Sequence, residues 1–194
     1  MIEIRWHGRG GQGAKTVAQL LAAAALRGGL WAQAFPEYGP ERSGAPVRAF
    51  TRLDRREIRL HCGVYQPDIV VVLDPTLLDS KEVGVLEGLK RHGVLVVNSP
   101  KSSEELREQI KFSGRIVALD ANRLAREAGT RFANVVLLGA LAALLPEEIS
   151  LSDVEEELQL TMRDKPKALE ANLAALRAGF YALRRQQEPE VLVC

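Results

Sequence analysis

The sequence predicts an α/β domain of three layers, with a mixed, mostly parallel sheet between helices and a helical segment at its carboxyl end. Three observations carry that prediction. Ile2, Ile4 and Trp6 alternate as a strand should, run into a turn holding Gly8, Gly10 and Gly13, and are followed by Val17, Leu20 and Leu21 at helical spacing. Ile69 to Leu73, Val94 to Val97 and Ile116 to Leu119 are continuous, valine-rich apolar runs, as strands buried on both faces of a parallel sheet read. In the last third, Leu169, Leu173, Leu176, Phe180 and Leu183 step by four and three along a helix expected from Lys165 to Arg185. A chain of 194 residues can bury one such core, so the expected division is a single domain, with an α/β core at 1–146, helices at 150–186 and a tail at 187–194.

Taken in order, Ala14 to Arg27 reads as an alanine-rich helix closed by Gly28 and Gly29, where a left-handed cap belongs. Leu30 to Phe35 reads as the next strand, and the following run from Pro36 to Pro46 as a rigid loop, three prolines and two glycines around Glu37, Glu41 and Arg42. Val47 to Leu53 and Glu57 to Cys62, joined by Asp54, Arg55 and Arg56, have the spacing of a hairpin. Helices are expected between the three buried strands. Ser102 or Ser103 can cap Glu104 to Phe112, and Asp120 can cap Ala121 to Ala128, with Gly129 as its stop. Phe132 to Leu145 is almost wholly apolar and reads as a buried helix ending near Pro146; Asn134 is the polar exception at its start. Ser152, with Glu155 at the capping-box position, marks one more helix, and the leucine stripe after Lys165 either closes on the sheet of its own domain, the commoner case, or packs on another subunit. The tail from Pro189 to Cys194 ends apolar, which suggests docking on a partner.

Composition excludes several classes. A net charge of +1 and 5% aromatic residues give neither the electrostatic bias nor the stacking surface of a nucleic-acid binder. No apolar run reaches the roughly 18 residues of a membrane span, and the chain begins on a strand rather than a signal sequence, so a cytoplasmic protein without membrane contact is expected. Cys62 and Cys194 form no cluster motif, and no histidine, cysteine or carboxylate group has metal-ligand spacing, so no metal is expected on this chain.

The chemistry points to an anion. A glycine turn leading into a helix offers backbone N–H groups and a positive dipole end to phosphate or pyrophosphate. Gly8, Arg9, Gly10, Gly11, Gln12 and Gly13 are the expected contacts, with Arg9, Lys15 and Arg42 as cationic ligands and Glu41 beside Arg42. Asn134 is either a satisfied cap or a ligand group. The Walker A pattern fails, because Ala14 stands where its lysine belongs. A dinucleotide fold fits better, Glu37 falling about 24 residues after Gly13, near the ~20 residues expected of a ribose-binding acid. No catalytic constellation emerges. His61 and Cys62 are adjacent in an expected strand and point to opposite faces, His92 falls at an expected helix end, and His7 borders the turn with proximity as its sole credential.

Three landmarks carry a resemblance. His7-Gly-Arg-Gly-Gly-Gln-Gly13, Glu37-Tyr-Gly-Pro-Glu-Arg-Ser-Gly-Ala-Pro46, and a carboxyl-terminal pattern of Asn134, Leu138-Gly139-Ala140, Lys165-Pro166 and Asn172 to Gly179 resemble the gamma subunit, or gamma domain, of 2-oxoacid:ferredoxin oxidoreductases, the pyruvate and 2-ketoisovalerate group. The sequence departs at Ser43, where many members carry a second basic residue. The resemblance implies an enzyme converting a 2-oxoacid, coenzyme A and oxidised ferredoxin into acyl-CoA, carbon dioxide and reduced ferredoxin. It places thiamine diphosphate, magnesium and iron–sulfur clusters on alpha, beta and delta partner subunits. To the gamma part it gives coenzyme A binding and assembly, with no catalytic residue of its own. Outside the resemblance, a free-standing NAD(P)-binding dehydrogenase and a purely architectural subunit are the alternatives.

Overall fold

The computed structural model describes residues 1–37 and 44–187, so Glu41, Arg42 and the apolar tail lie outside the described residues. Six strands form one sheet in the order β2-β3-β1-β4-β5-β6. These are β1 (Ile2–Arg9), β2 (Trp31–Pro36), β3 (Pro46–Asp54), β4 (Ile69–Val72), β5 (Val94–Asn98) and β6 (Arg115–Leu119). β1, β4, β5 and β6 are parallel, whereas β3 runs antiparallel between β1 and β2. The sheet is therefore mixed and mostly parallel, as expected.

The first helix, α1 (Ala14–Arg27), has the expected bounds, and Gly29 takes the left-handed conformation past its end, with φ 87°. It lies on the face carrying Ile4, Trp6, Val71, Val96 and Val117. A polar seam fixes it there: the Trp6 indole donates to Thr51 Oγ1 at 3.0 Å, and the Thr51 hydroxyl donates to the Ala18 carbonyl at 3.2 Å. The same face takes α3 (Ala121–Glu127), α4 (Ala133–Leu144), α5 (Leu151–Met162) and α6 (Pro166–Gln187). The opposite face carries Val70, Val72, Leu95, Val97 and Ile116, covered by Leu106 of α2 (Ser103–Ile110) and by Leu77 and Val85.

Stripe residues Leu176 and Leu183 are buried in the core of this domain, and Leu169, Leu173 and Phe180 pack against it. α4 and α6 touch backbone to backbone: a Cβ on Gly139 would stand 1.9 Å from the Leu176 carbonyl oxygen, and one on Gly179 would stand 1.9 Å from that of Val136. Two glycines of the carboxyl-terminal landmark thus allow a helix crossing that a single methyl group would force apart.

Four local expectations are corrected. Residues 57–62 form no strand, so there is no hairpin after Leu53; β3 pairs with β2 and β1, and the segment after Asp54 instead crosses the polar part of the sheet, where the Gly63 carbonyl accepts from Arg52 at 3.1 Å. His61 and Cys62 therefore sit in an exposed loop. Between β4 and β5 there is a 3₁₀ turn, Pro75–Asp79, and a run of turns containing His92, because Gly84, Gly88 and Gly93 interrupt any longer helix. The cap of α5 is Ser150 rather than Ser152: its hydroxyl accepts from the Asp153 N–H at 3.0 Å.

Candidate functional site

β1 delivers the glycine turn to the carboxyl end of the parallel strands, where open α/β sheets bind ligands. The turn is built tightly. Gln12 points back into it, its Oε1 accepting from the Arg9 N–H at 2.8 Å and its Nε2 donating to Asp74 Oδ2 at 3.1 Å. The Gly10 N–H donates to the Ala45 carbonyl at 2.9 Å, which ties the turn to the start of β3. Gly13 has φ 80°, and a Cβ there would lie 2.4 Å from Asn134 Nδ2. Left-handed backbone and close approach both demand glycine.

Arg9 is committed to the scaffold. Its guanidinium donates to Asp74 Oδ2 at 3.0 Å, to Thr76 Oγ1 at 2.9 Å and to the Gly44 carbonyl at 3.2 Å. Burial of Asp74 works against its charge, but hydrogen bonds from the Thr76 hydroxyl and N–H and from Gln12, with the charge of Arg9, outweigh it and hold the carboxyl below the usual carboxylate range. Asp74 is thereby kept ionised as the anchor of the turn, a role no local signal in the sequence announces.

A cleft opens on each side. One, of about 520 Å³, is lined by Gly10, Gly11, Gly13 and the first residues of α1, with Lys15 and Arg48 as its cations besides Arg9. The other, of about 400 Å³, is lined by Gly11 and Gln12, by Asn98, Asn122 and Asn134, and by Arg131. Asn98 is held by donating to the Leu73 carbonyl at 3.0 Å and accepting from the Asn122 N–H at 3.3 Å. Asn134 is 6% exposed, lies 3.4 Å through Nδ2 from the Gly13 carbonyl, and leaves Oδ1 without a partner among the described residues. The site thus gathers Gly8 to Gly13 and Asn134, which are 121 residues apart for the pair Gly13–Asn134. Asn98, Asn122, Arg131 and Arg48 belong to the same place, and only contacts across the sheet reveal them.

Helix caps divide the same way. α2, α3 and α5 are capped by Ser102, Asp120 and Ser150, each accepting a backbone N–H of its own first turn. α1 and α4 begin at Gly13 and Phe132 with no side-chain cap and no acidic residue in the first turn. The positive end of α1 opens on the first cleft and that of α4 on the second, where the Ala133 and Val135 N–H groups already donate to the Arg131 and Phe132 carbonyls, each at 3.2 Å.

His7 stands apart from this chemistry. It is fully buried on the other face of β1, its Nε2 accepts from Arg5 Nε at 3.0 Å, and Nδ1 has no partner among the described residues. Burial, then the charges of Arg5 and Arg48, push its pKa down to about 3, so it is a neutral core acceptor. Glu37, the expected ribose ligand, is paired with Arg48.

A family model for pyruvate ferredoxin/flavodoxin oxidoreductase matches residues 3–182. The chain belongs to that family. It is 48% identical to the pyruvate/ketoisovalerate oxidoreductases common subunit gamma of Thermococcus kodakarensis, over 83% of this chain and 86% of the relative. The crystal structure of pyruvate oxidoreductase subunit PORC from Thermotoga maritima superposes with a TM-score of 0.80 at 41% identity, over 93% of this chain and 95% of that one. The fold also recurs, with a TM-score of 0.78 at 22% identity, in 31% of the chain of a 2-oxoglutarate:ferredoxin oxidoreductase from Magnetococcus marinus. The protein is thus a subunit of a pyruvate/2-oxoacid ferredoxin oxidoreductase, an enzyme of several subunits. This takes the place of the free-standing dehydrogenase. Among the described residues no group of three histidine, cysteine or acidic side chains could hold a metal ion, and no helix is long and apolar enough to cross a membrane.

Proposed function

We propose that this chain contributes coenzyme A contacts to the assembled oxidoreductase and supplies no catalytic group. The carrying observation is the pair of uncapped helix starts, α1 and α4, that converge on the glycine turn while the helices begun by Ser102, Asp120 and Ser150 cap themselves. Lys15 and Arg48 suit the pyrophosphate end, with the α1 N–H groups behind them. The amide cleft, with the unpaired Oδ1 of Asn134, suits a neutral part of the same molecule that can donate a hydrogen bond. The Magnetococcus marinus enzyme was solved with coenzyme A and succinyl-CoA bound, which supports the choice of ligand. Gly8 and Gln12 shape the turn, and Glu41 and Arg42 stay in the proposal on the strength of the second signature.

The reaction is the conversion of a 2-oxoacid, coenzyme A and oxidised ferredoxin into acyl-CoA, carbon dioxide and reduced ferredoxin. In this reading, which follows the resemblance, thiamine diphosphate with magnesium and the iron–sulfur clusters belong to alpha, beta and delta-type partners, and the assembly works in the cytoplasm. This chain acts as one domain in that assembly. The test is to purify it alone and with its partners. It should co-purify with a thiamine-binding subunit and a ferredoxin-like subunit, bind coenzyme A weakly by itself and turn nothing over. Robust oxoacid oxidation by the isolated chain would refute the proposal.

A further inference from the structure

The two edges of the sheet are finished differently. At β6 the carbonyls of Ile116 and Ala118 are covered by side chains: the Ser103 hydroxyl donates to the first at 3.1 Å and Gln186 Nε2 to the second at 3.2 Å. At the opposite edge, the Glu37 N–H donates to the Arg48 carbonyl at 3.0 Å. Alternation along an antiparallel ladder then turns Phe35, Gln33 and Trp31 inward to Phe50, Arg52 and Asp54, and turns the backbone N–H and C=O groups of Ala32 and Ala34 outward. Among the described residues nothing pairs with them. Trp31, on the same strand, is 51% exposed. An edge of this kind is a template for another strand.

We infer that the strand completing this edge is β2 of a second copy of the chain, antiparallel about a two-fold axis through Gln33. The sequence Trp31-Ala32-Gln33-Ala34-Phe35 has the same order of residue classes in both directions: aromatic, alanine, glutamine, alanine, aromatic. Antiparallel self-pairing centred on Gln33 sets Ala32 opposite Ala34 of the second copy, so that these two exchange both outward hydrogen bonds, and sets Trp31 opposite Phe35. Cross-strand aromatic pairs of that kind stabilise a ladder, and a self-complementary patch is what a closed two-fold dimer requires.

The ends agree with this register. Pro36 has no N–H to offer, and it falls opposite Leu30, whose N–H already donates to the Ala25 carbonyl at 3.0 Å. Pairing therefore stops at both ends of the palindrome. The resulting interface is short, so the dimer depends on concentration.

Sedimentation equilibrium of the full chain tests this. The mass should rise with concentration from 21.3 kDa toward twice that value. Ala34→Pro removes one outward N–H without touching the β2–β3 ladder, and it should hold the mass at the monomer value with an unchanged circular dichroism spectrum. If that variant fails to fold, a cysteine at the axis decides instead. In a chain with Cys62→Ser and Cys194→Ser, Gln33→Cys should form an intermolecular disulfide on mild oxidation, because directly opposed residues of a non-hydrogen-bonded pair have the Cα spacing a disulfide needs. A chain that stays monomeric at every concentration, an Ala34→Pro chain that folds and still dimerises, or a Gln33→Cys chain that does not cross-link would overturn the inference. So would protection of the Ala32 and Ala34 amides from hydrogen exchange only in the presence of the other subunits, which would give the edge to one of them.

Discussion

Two sets of glycines shape this molecule, and they do so for opposite reasons. At the crossing of α4 and α6, Gly139 and Gly179 bring two backbones together inside the core, where a Cβ would meet a carbonyl at 1.9 Å. At the turn after β1 the glycines bend the chain: Gly11 and Gly13 are left-handed, a Cβ on Gly13 would meet Asn134 at 2.4 Å while one on Gly11 would meet nothing within 4 Å, and the helix starts on either side are left without side-chain caps. The first set is a packing device within the chain, and the second is the turn to which the proposed function assigns coenzyme A in the assembled enzyme. Both lie in the landmarks that carry the resemblance, so a glycine in a landmark does not by itself mark a site; what surrounds it does.

Substitution separates the two sets. Gly139→Ala should cost about 3 kcal/mol of stability, at the upper end of what overpacking a core usually costs, and denaturant unfolding of the chain alone reads it. A smaller loss there would mean that α4 and α6 can move apart.

Acid should act through the strand that presents the turn. Unfolded, His7 titrates near 6.5; folded, it stays neutral down to about 3. Above 6.5 neither state carries the proton and the group contributes nothing. Within the window the unfolded chain binds it and the folded chain does not, so stability falls as pH falls, by about 2 kcal/mol between pH 6.5 and pH 5. His7→Asn should flatten that slope, whereas replacing exposed His61 or His92 should leave it in place.

Gly13→Ala should cost about 1–2 kcal/mol from its left-handed backbone, with added strain against Asn134, and should also raise the KM for coenzyme A in the complex. Ser102→Ala, at a self-capped helix, should cost about 1 kcal/mol and leave that KM unchanged. Equal effects of these two variants on coenzyme A would erase the distinction between capped and uncapped helices.

Much of this is legible in the sequence because it is local. The bounds of α1, the three valine-rich parallel strands, and the caps at Ser102 and Asp120 follow from periodicity and capping chemistry within a few residues. The expected hairpin at 47–62 fails because the competing partner is remote: β3 satisfies its edges with β1 and β2, and residues 57–63 are drawn over Arg52. Ser150 wins over Ser152 because Asp153 provides a first-turn N–H and carboxylate in reach of it. The turn itself and Asn134 could be singled out by type. Their meeting through Gly13, the anchoring of Arg9 by Asp74, and the inclusion of Asn98, Asn122 and Arg131 depend on tertiary contacts that no spacing encodes.

The central claim is that the start of α1 holds a phosphate of coenzyme A within the assembled enzyme. Lys15 is exposed at that start and lines the basic cleft, so Lys15→Ala should leave fold and assembly intact. The direct measurement is the KM for coenzyme A of the reconstituted oxidoreductase carrying that variant. The account predicts a rise of about tenfold, as loss of one charged hydrogen bond gives, with the KM for the 2-oxoacid unchanged. An unaltered KM for coenzyme A in a fully assembled enzyme would contradict it.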